Sequence, residues 1–207
     1  MISKKLQDAL NAQINAEMWS AYLYLSMSVE AESKGLKGFG NWFFIQFREE
    51  QDHARILMNY LLARGGQVLL APIAEVRTSW GSQLEAFEDT LAHEKKVTAM
   101  INNLYDMAVT EKDHATASML KWFIDEQVEE EESATTIIDS LKLVFRRQMG
   151  VSCSQGVGSS HLYAGCTSGR QGIHAFIPEK KECCRSSAPF TSRSTRFPSP
   201  ESDTQSP

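Results

Sequence analysis

Phe47-Arg48-Glu49-Glu50-Gln51-Asp52-His53-Ala54-Arg55-Ile56-Leu57 is the stretch on which the fold turns. Phe47, Ala54 and Leu57, with Phe43 before them and Leu61 after, fall on one stripe of a helix. Glu50 comes three residues after Phe47, and His53 comes three after Glu50 and four before Leu57. Both ionisable groups therefore sit inside the apolar stripe. A carboxylate and an imidazole turned into a dry core need a compensating partner, because burial strips them of water.

Working outward, the same anomaly recurs on three more helical patterns. The first runs from about Lys5 to about Glu32, with Ile14, Met18, Ala21 and Leu25 at helical spacing and Glu17 among them. Gly35 and Gly38 are its expected terminators. The second, which holds the quoted stretch, runs from about Gly40 to Arg64 and ends at Gly65-Gly66. The third starts at Ser82, where Ser82-Gln83-Leu84-Glu85 fits a capping box. Its stripe is Leu84, Phe87, Leu91, Val97, Ile101 and Leu104, with Glu94 inside it. After a polar break at Thr110-Glu111-Lys112-Asp113, the fourth shows Leu120, Phe123, Ala134, Ile137, Leu141 and Val144, with Gln127 and Glu130 on the same face. Residues 65–81 form an extended link, long for neighbouring helices, which suits a crossover spanning the bundle. The expected fold is an all-α antiparallel four-helix bundle over residues 1–144, with one long crossover between the second and third helices.

Each helix thus directs at least one carboxylate inward near its middle. No inward stripe supplies a Lys or Arg to balance them. Two divalent cations would neutralise four carboxylates and leave His53 and Gln127 as neutral partners. Carboxylate and imidazole donors suit iron, manganese or zinc, and the lack of thiolates argues against a closed structural zinc site.

Charge agrees with cation handling. Residues 1–144 carry 13 Lys+Arg against 22 Asp+Glu, and residues 145–207 carry 8 against 4. An acidic body repels a phosphate backbone, so no nucleic-acid partner is expected. No apolar run is long enough to span a membrane, and the opening residues lack the apolar core of a secretory signal. A cytoplasmic location is expected. The four cysteines, Cys153, Cys166, Cys183 and Cys184, all lie outside the helical body, so no disulfide framework is expected there.

The set Glu17, Glu50-Gln51-Asp52-His53, Glu94 and Gln127-Val128-Glu129-Glu130 resembles the prokaryotic ferritins, a known case of Glu and Glu-x-x-His groups projecting into a bundle. The resemblance extends over residues 1–144 and includes Tyr24. It implies an iron-storage protein with ferroxidase activity. Two Fe(II) ions would each give an electron to oxygen or hydrogen peroxide, and the ferric product would mineralise inside a 24-subunit shell. It implies that Glu17, Glu50 and His53 hold the first iron, with Glu50 bridging, and that Glu94 and Glu130 hold the second. Gln127 would orient bound oxygen species. Glu49, Glu126 and Glu129 would form a third, weaker iron site. Tyr24 would supply an electron, with Trp122 as a neighbouring aromatic. The fourth helix has Gln-x-x-Glu where symmetric di-iron proteins have Glu-x-x-His, and position 52 is Asp where bacterioferritins carry a haem-ligating Met. Both departures imply a haem-free ferritin.

From about Phe145 the helical pattern gives way to Ser, Gly, Pro, Arg and Cys. Residues 145–207 are expected to be a disordered tail in place of the family's short fifth helix. His93 and His114 are read as surface residues, Glu131 and Glu132 as a solvated face, and Met18, Met27 and Met58 as core filler. Two other functions fit parts of the pattern: a non-storage di-iron oxidase or peroxidase of the rubrerythrin type, and an inactive iron-binding helical assembly.

Overall fold

The computed structural model describes residues 1–154, with side chains described through Arg147. Within them lie four helices, α1 (Lys4–Ser33), α2 (Lys37–Ala63), α3 (Gln83–Thr110) and α4 (His114–Ser154), and no strand. The tail expected over 145–207 divides here. α4 continues past Val144 to Ser154, because Phe145-Arg146-Arg147-Gln148-Met149 contains no helix breaker. Residues 155–207 lie outside the described part, as do Cys166, Cys183 and Cys184.

Local chemistry sets the ends. The Ser3 hydroxyl accepts from the Leu6 amide and caps α1. Ser82 accepts likewise from Glu85 at the start of α3, while Glu85 reaches back to the Gly81 amide, one residue earlier than a strict capping box. Asp113 caps α4 through the Thr116 amide. Gly35 and Gly65 take positive φ just past α1 and α2, and the amides of Leu36 and Gly66 turn back to the carbonyls of Ala31 and Leu61. The same closure ends α3 with Lys112, at φ 58°, in the glycine's place. Gly38, expected as a terminator, lies inside α2, which starts three residues before Gly40. At Gly40 two backbones approach closely: an added Cβ would come 2.6 Å from Glu32 Cγ, and Ser28 donates to the Gly40 carbonyl.

The tight loops make α1/α2 and α3/α4 antiparallel pairs. The long connection fixes how the pairs join. A polar stripe along α1 grips its backbone: Gln7 Oε1 takes the Gln67 amide, and Asn11 bonds both Gln67 O and Leu69 N. Further along, Asn15 donates to Ala71 O, Trp19 to Glu75 O and Ser26 to Arg77 O. Glu30 and Lys34 hold the amide and carbonyl of Trp80. Gln7 to Lys34 rises about 40 Å along a helix, and Gln67 to Trp80 spans about 43 Å when extended. The connection is therefore long because it must travel the whole of α1. It delivers α3 to the far end of the bundle, so α2 and α3 run in the same direction.

The interior has two apolar cores. One gathers Tyr24, Met27, Phe39, Trp42, Phe43, Trp80, Phe87, Ile137 and Ile138. The other gathers Leu6, Leu10, Ile14, Leu57, Leu61, Ile101, Leu104, Leu120 and Phe123. The anomalous polar residues lie along the helices between these two sets.

Candidate metal centre

Burial separates the candidates from ordinary surface carboxylates. Six glutamates are buried: Glu17, Glu49, Glu50, Glu94, Glu126 and Glu130; among the described residues no Lys or Arg is buried with them. All four helices contribute. Each carboxylate occupies a position where helical periodicity demands an apolar residue, so folding the stripe inward carries it along. His53 and Gln127 are buried as well, while Glu129 is exposed on α4. Of the trio Glu49, Glu126 and Glu129, two members thus point inside and one outside.

Glu17, Glu50 and His53 each offer a ligand atom within 4.8 Å of the others. His53 Nδ1 lies 3.3 Å from Glu50 Oε2. Gln13 donates to Glu17 Oε1 at 2.9 Å, and Glu17 Oε2 is buried with no hydrogen bond. An acceptor oxygen enclosed in this way is unusual, since buried polar atoms are nearly always satisfied. A cation fits it; among the described residues, no buried ammonium or guanidinium is there to do so.

On the opposite flank, Tyr24 donates its hydroxyl to Glu94 Oε1, and Gln46 donates to Glu130 Oε2 at 2.9 Å. The Thr98 hydroxyl lies 3.0 Å from Gln127 Oε1 and 2.6 Å from Glu131 Oε1. Burial holds the Glu50 carboxyl well above its ordinary range, reinforced by the charges of Glu17 and Glu94 and opposed by His53. Burial likewise raises the Tyr24 phenol, with Glu94, Glu50 and Glu130 adding to it. Tyr24 therefore stays protonated in the field of carboxylates from three helices. The donor set, carboxylates plus one imidazole without thiolate, fits iron. Trp122 packs edge-on against His53, ring centroids 5.5 Å apart.

Two surface assignments need correction. His93 is half-buried, because Ser20 bonds it at 2.7 Å and Trp19 and Tyr24 pack against it. Burial, with a smaller push from Lys96, lowers its pKa to about 4. Glu131 is partly buried through Thr98. Sequence reasoning also missed Gln13, Gln46 and Thr98. Gln13 and Thr98 each stand four residues from a buried glutamate, Glu17 and Glu94, and Gln46 stands four before Glu50. That spacing is the signal that finds them.

Buried carboxylates from all four helices, with His53 beside Glu17 and Glu50, define a carboxylate-bundle protein of ferritin type. The ferritin-like domain family matches residues 7–144, and the chain belongs to that family. It is 47% identical to the bacterial non-heme ferritin of Bacteroides fragilis over 142 residues, 69% of this chain and 89% of that one. It is 42% identical to the bacterial non-heme ferritin of Staphylococcus saprophyticus over 144 residues, 70% and 86% of the two chains. Among solved structures, an open-pore ferritin from the hyperthermophilic archaeon Archaeoglobus fulgidus matches with a TM-score of 0.69 and 49% identity, covering 70% of this chain and 89% of that one. A closed form engineered from the A. fulgidus ferritin matches with the same score and identity, covering 70% and 88%. No helix among the described residues is long and apolar enough to cross a membrane.

Proposed function

We propose that this chain stores iron and oxidises Fe(II) at the buried cluster. The observation that carries the reading is a buried charge imbalance among the described residues: six interior glutamates with no interior Lys or Arg, Glu17 presenting a carboxylate oxygen without a hydrogen bond. Metal ions compensate such a cluster where hydrogen bonds do not. Glu17, Glu50 and His53 would hold one ferrous ion, and Glu50, Glu94 and Glu130 a second, with Glu50 shared. Gln13 and Gln46 would fix Glu17 and Glu130 by taking one oxygen of each and turning the other inward. Gln127, its amide oxygen engaged by Thr98, would present its NH2 to bound oxygen species. Tyr24 would lend an electron.

Each ferrous ion gives one electron to oxygen or hydrogen peroxide, and the ferric product leaves for the hollow of a 24-subunit homo-oligomeric shell in the cytoplasm. Glu49 and Glu126, with Glu129 reaching in from the exposed side, would form a third site on that route. The protein is haem-free on this reading, since position 52 is Asp and offers no thioether to a haem iron.

Stopped-flow absorbance after mixing apoprotein, Fe(II) and oxygen tests the assignment. Glu17→Ala and His53→Ala should each slow the fast phase by about a hundredfold or more, the scale of losing a positioned reacting partner. A fast phase equal to wild type in both variants removes these residues from the reaction. Light scattering with iron analysis tests storage: particles retaining only two or three irons per chain would leave oxidation without storage.

A further inference from the structure

His93 is the link between a fully buried ring and a partly exposed one. Tyr24 meets its imidazole edge-on, centroids 6.2 Å apart at 73°, and Trp19 lies against it at 5.2 Å and 55°. The two α1 rings are five positions apart on one helix, so they do not share a face; the α3 imidazole fills the gap between them. Its orientation is fixed. Ser20 Oγ lies 2.7 Å from His93 Nε2 and 3.1 Å from Ala16 O, which ties the ring to the α1 backbone. Tyr24 is wholly buried with its hydroxyl on Glu94. Trp19 is partly exposed, with Nε1 3.4 Å from Glu75 O in the crossover. The rings thus run without a break from the carboxylate cluster to the outer side of the bundle.

We propose that Tyr24, His93 and Trp19 form a one-electron path from the face of α1 beneath the crossover to the carboxylate cluster, with Trp19 as the surface port. The proposal rests on the reading that oxygen is reduced at the cluster. Oxygen chemistry takes one electron from Tyr24, and the phenolic proton passes to Glu94 Oε1. Left there, the phenoxyl radical would sit in the core among oxidisable side chains. Instead one electron moves from the Trp19 indole, across the His93 ring, to the phenoxyl, and the proton returns from Glu94 to Tyr24 Oη. Tyr24 is restored and Trp19 becomes an indole radical cation. A one-electron reductant at the surface, a thiol or a ferrous ion, returns Trp19 to its starting state. Phe43 also packs on Tyr24 and leads to Trp42, but Trp42 is buried, so that branch has no opening to an outside donor.

Flash photolysis of the iron-free protein tests the path without iron chemistry. A ruthenium polypyridyl sensitiser with persulfate as electron sink oxidises exposed indoles, and transient absorption follows the radicals. The flash drives the path in its reverse sense: Tyr24 gives an electron across His93 to the oxidised indole and its proton to Glu94. In the iron reaction, by contrast, the surface reductant that consumes the indole radical draws the electron inward. With no reductant present, the indole radical should convert to a tyrosyl radical in wild type. In Tyr24→Phe it should persist about tenfold longer, and Trp19→Phe should slow the rise of tyrosyl radical by about tenfold. Circular dichroism and a melting midpoint equal to wild type in Trp19→Phe guard against misfolding as the cause of a loss. A rise unchanged in Trp19→Phe overturns the path, as does one lost equally in Trp42→Phe or Trp122→Phe. Iron-loaded wild type that oxidises no Fe(II) while the photochemical transfer persists would sink the ferroxidase reading and leave the path standing.

Discussion

Glu17→Gln should make the iron-free protein more stable while removing its ability to bind metal tightly. Glu17 and Glu50 offer oxygens within 4.8 Å of one another in the bundle interior. At that separation and an effective dielectric near 20, two negative charges repel by about 3.5 kcal/mol. Glu50 can take up a proton, since burial and the Glu17 charge raise its carboxyl, and this relieves part of the repulsion. The substituted amide keeps an oxygen for Gln13 to donate to, so that contact survives in weaker form. The net gain is about 1–2 kcal/mol, an increase of about 5 °C in unfolding midpoint for a domain of this size. Calorimetry of chelator-treated wild type and Glu17→Gln measures it, and titration with zinc, a redox-inert probe, measures the lost binding. A variant that unfolds below wild type without metal refutes the argument, because the carboxylate would then be stabilising the fold on its own account.

Other outcomes follow from the same geometry. Because the Glu50 carboxyl is raised in the fold, its contribution to stability is complete below the unfolded value near 4.5 and is lost as pH climbs through the folded one. The metal-free protein should therefore melt lower at about pH 8 than at about pH 6, and Glu50→Gln should reduce that difference; identical pH dependence in the variant would contradict it. Asp113 behaves in the opposite sense: the Arg64 fork depresses it from 3.8 to about 2, so its contribution is present above 3.8 and fades as pH falls toward about 2. Arg64→Ala should cost about 1–2 kcal/mol in urea unfolding at neutral pH and much less in strong acid. Asn11→Ala removes two contacts to the crossover backbone and should cost about 1–2 kcal/mol, with faster hydrogen exchange at the Leu69 amide as the local readout.

The helices and the buried glutamates were legible because helical periodicity makes a glutamate in an apolar stripe conspicuous, and Glu17, Glu50, Glu94 and Glu130 each break such a stripe. The bundle's direction of travel was legible only as a length. What the crossover grips, the α1 ladder from Gln7 to Lys34, leaves no apolar signature, since its members bond to backbone and look like ordinary surface polar residues. His93 was misread for a related reason: its neighbours Trp19, Ser20 and Tyr24 are brought to it by another helix, and one-dimensional spacing does not register contacts between helices. Gly38 was read as a helix break because glycine disfavours helices; α2 nevertheless starts at Lys37 and runs through Gly38 to Gly40, where α1 packs closely on it. α4 outran its expected end because loss of an apolar stripe is not loss of helix propensity.

The α1 ladder addresses peptide groups, and no side chain of the crossover is needed for it except as a spacer. Leu69, Leu70 and Ile73 accordingly remain exposed at 52%, 73% and 42%. Stability and surface character are thereby decoupled along this strap: residues on its outer edge can be rewritten, or a foreign peptide spliced between the anchor points, while the amides and carbonyls that α1 holds stay in place. The strap is the part of the molecule where new exterior chemistry can be introduced at the least risk to the interior.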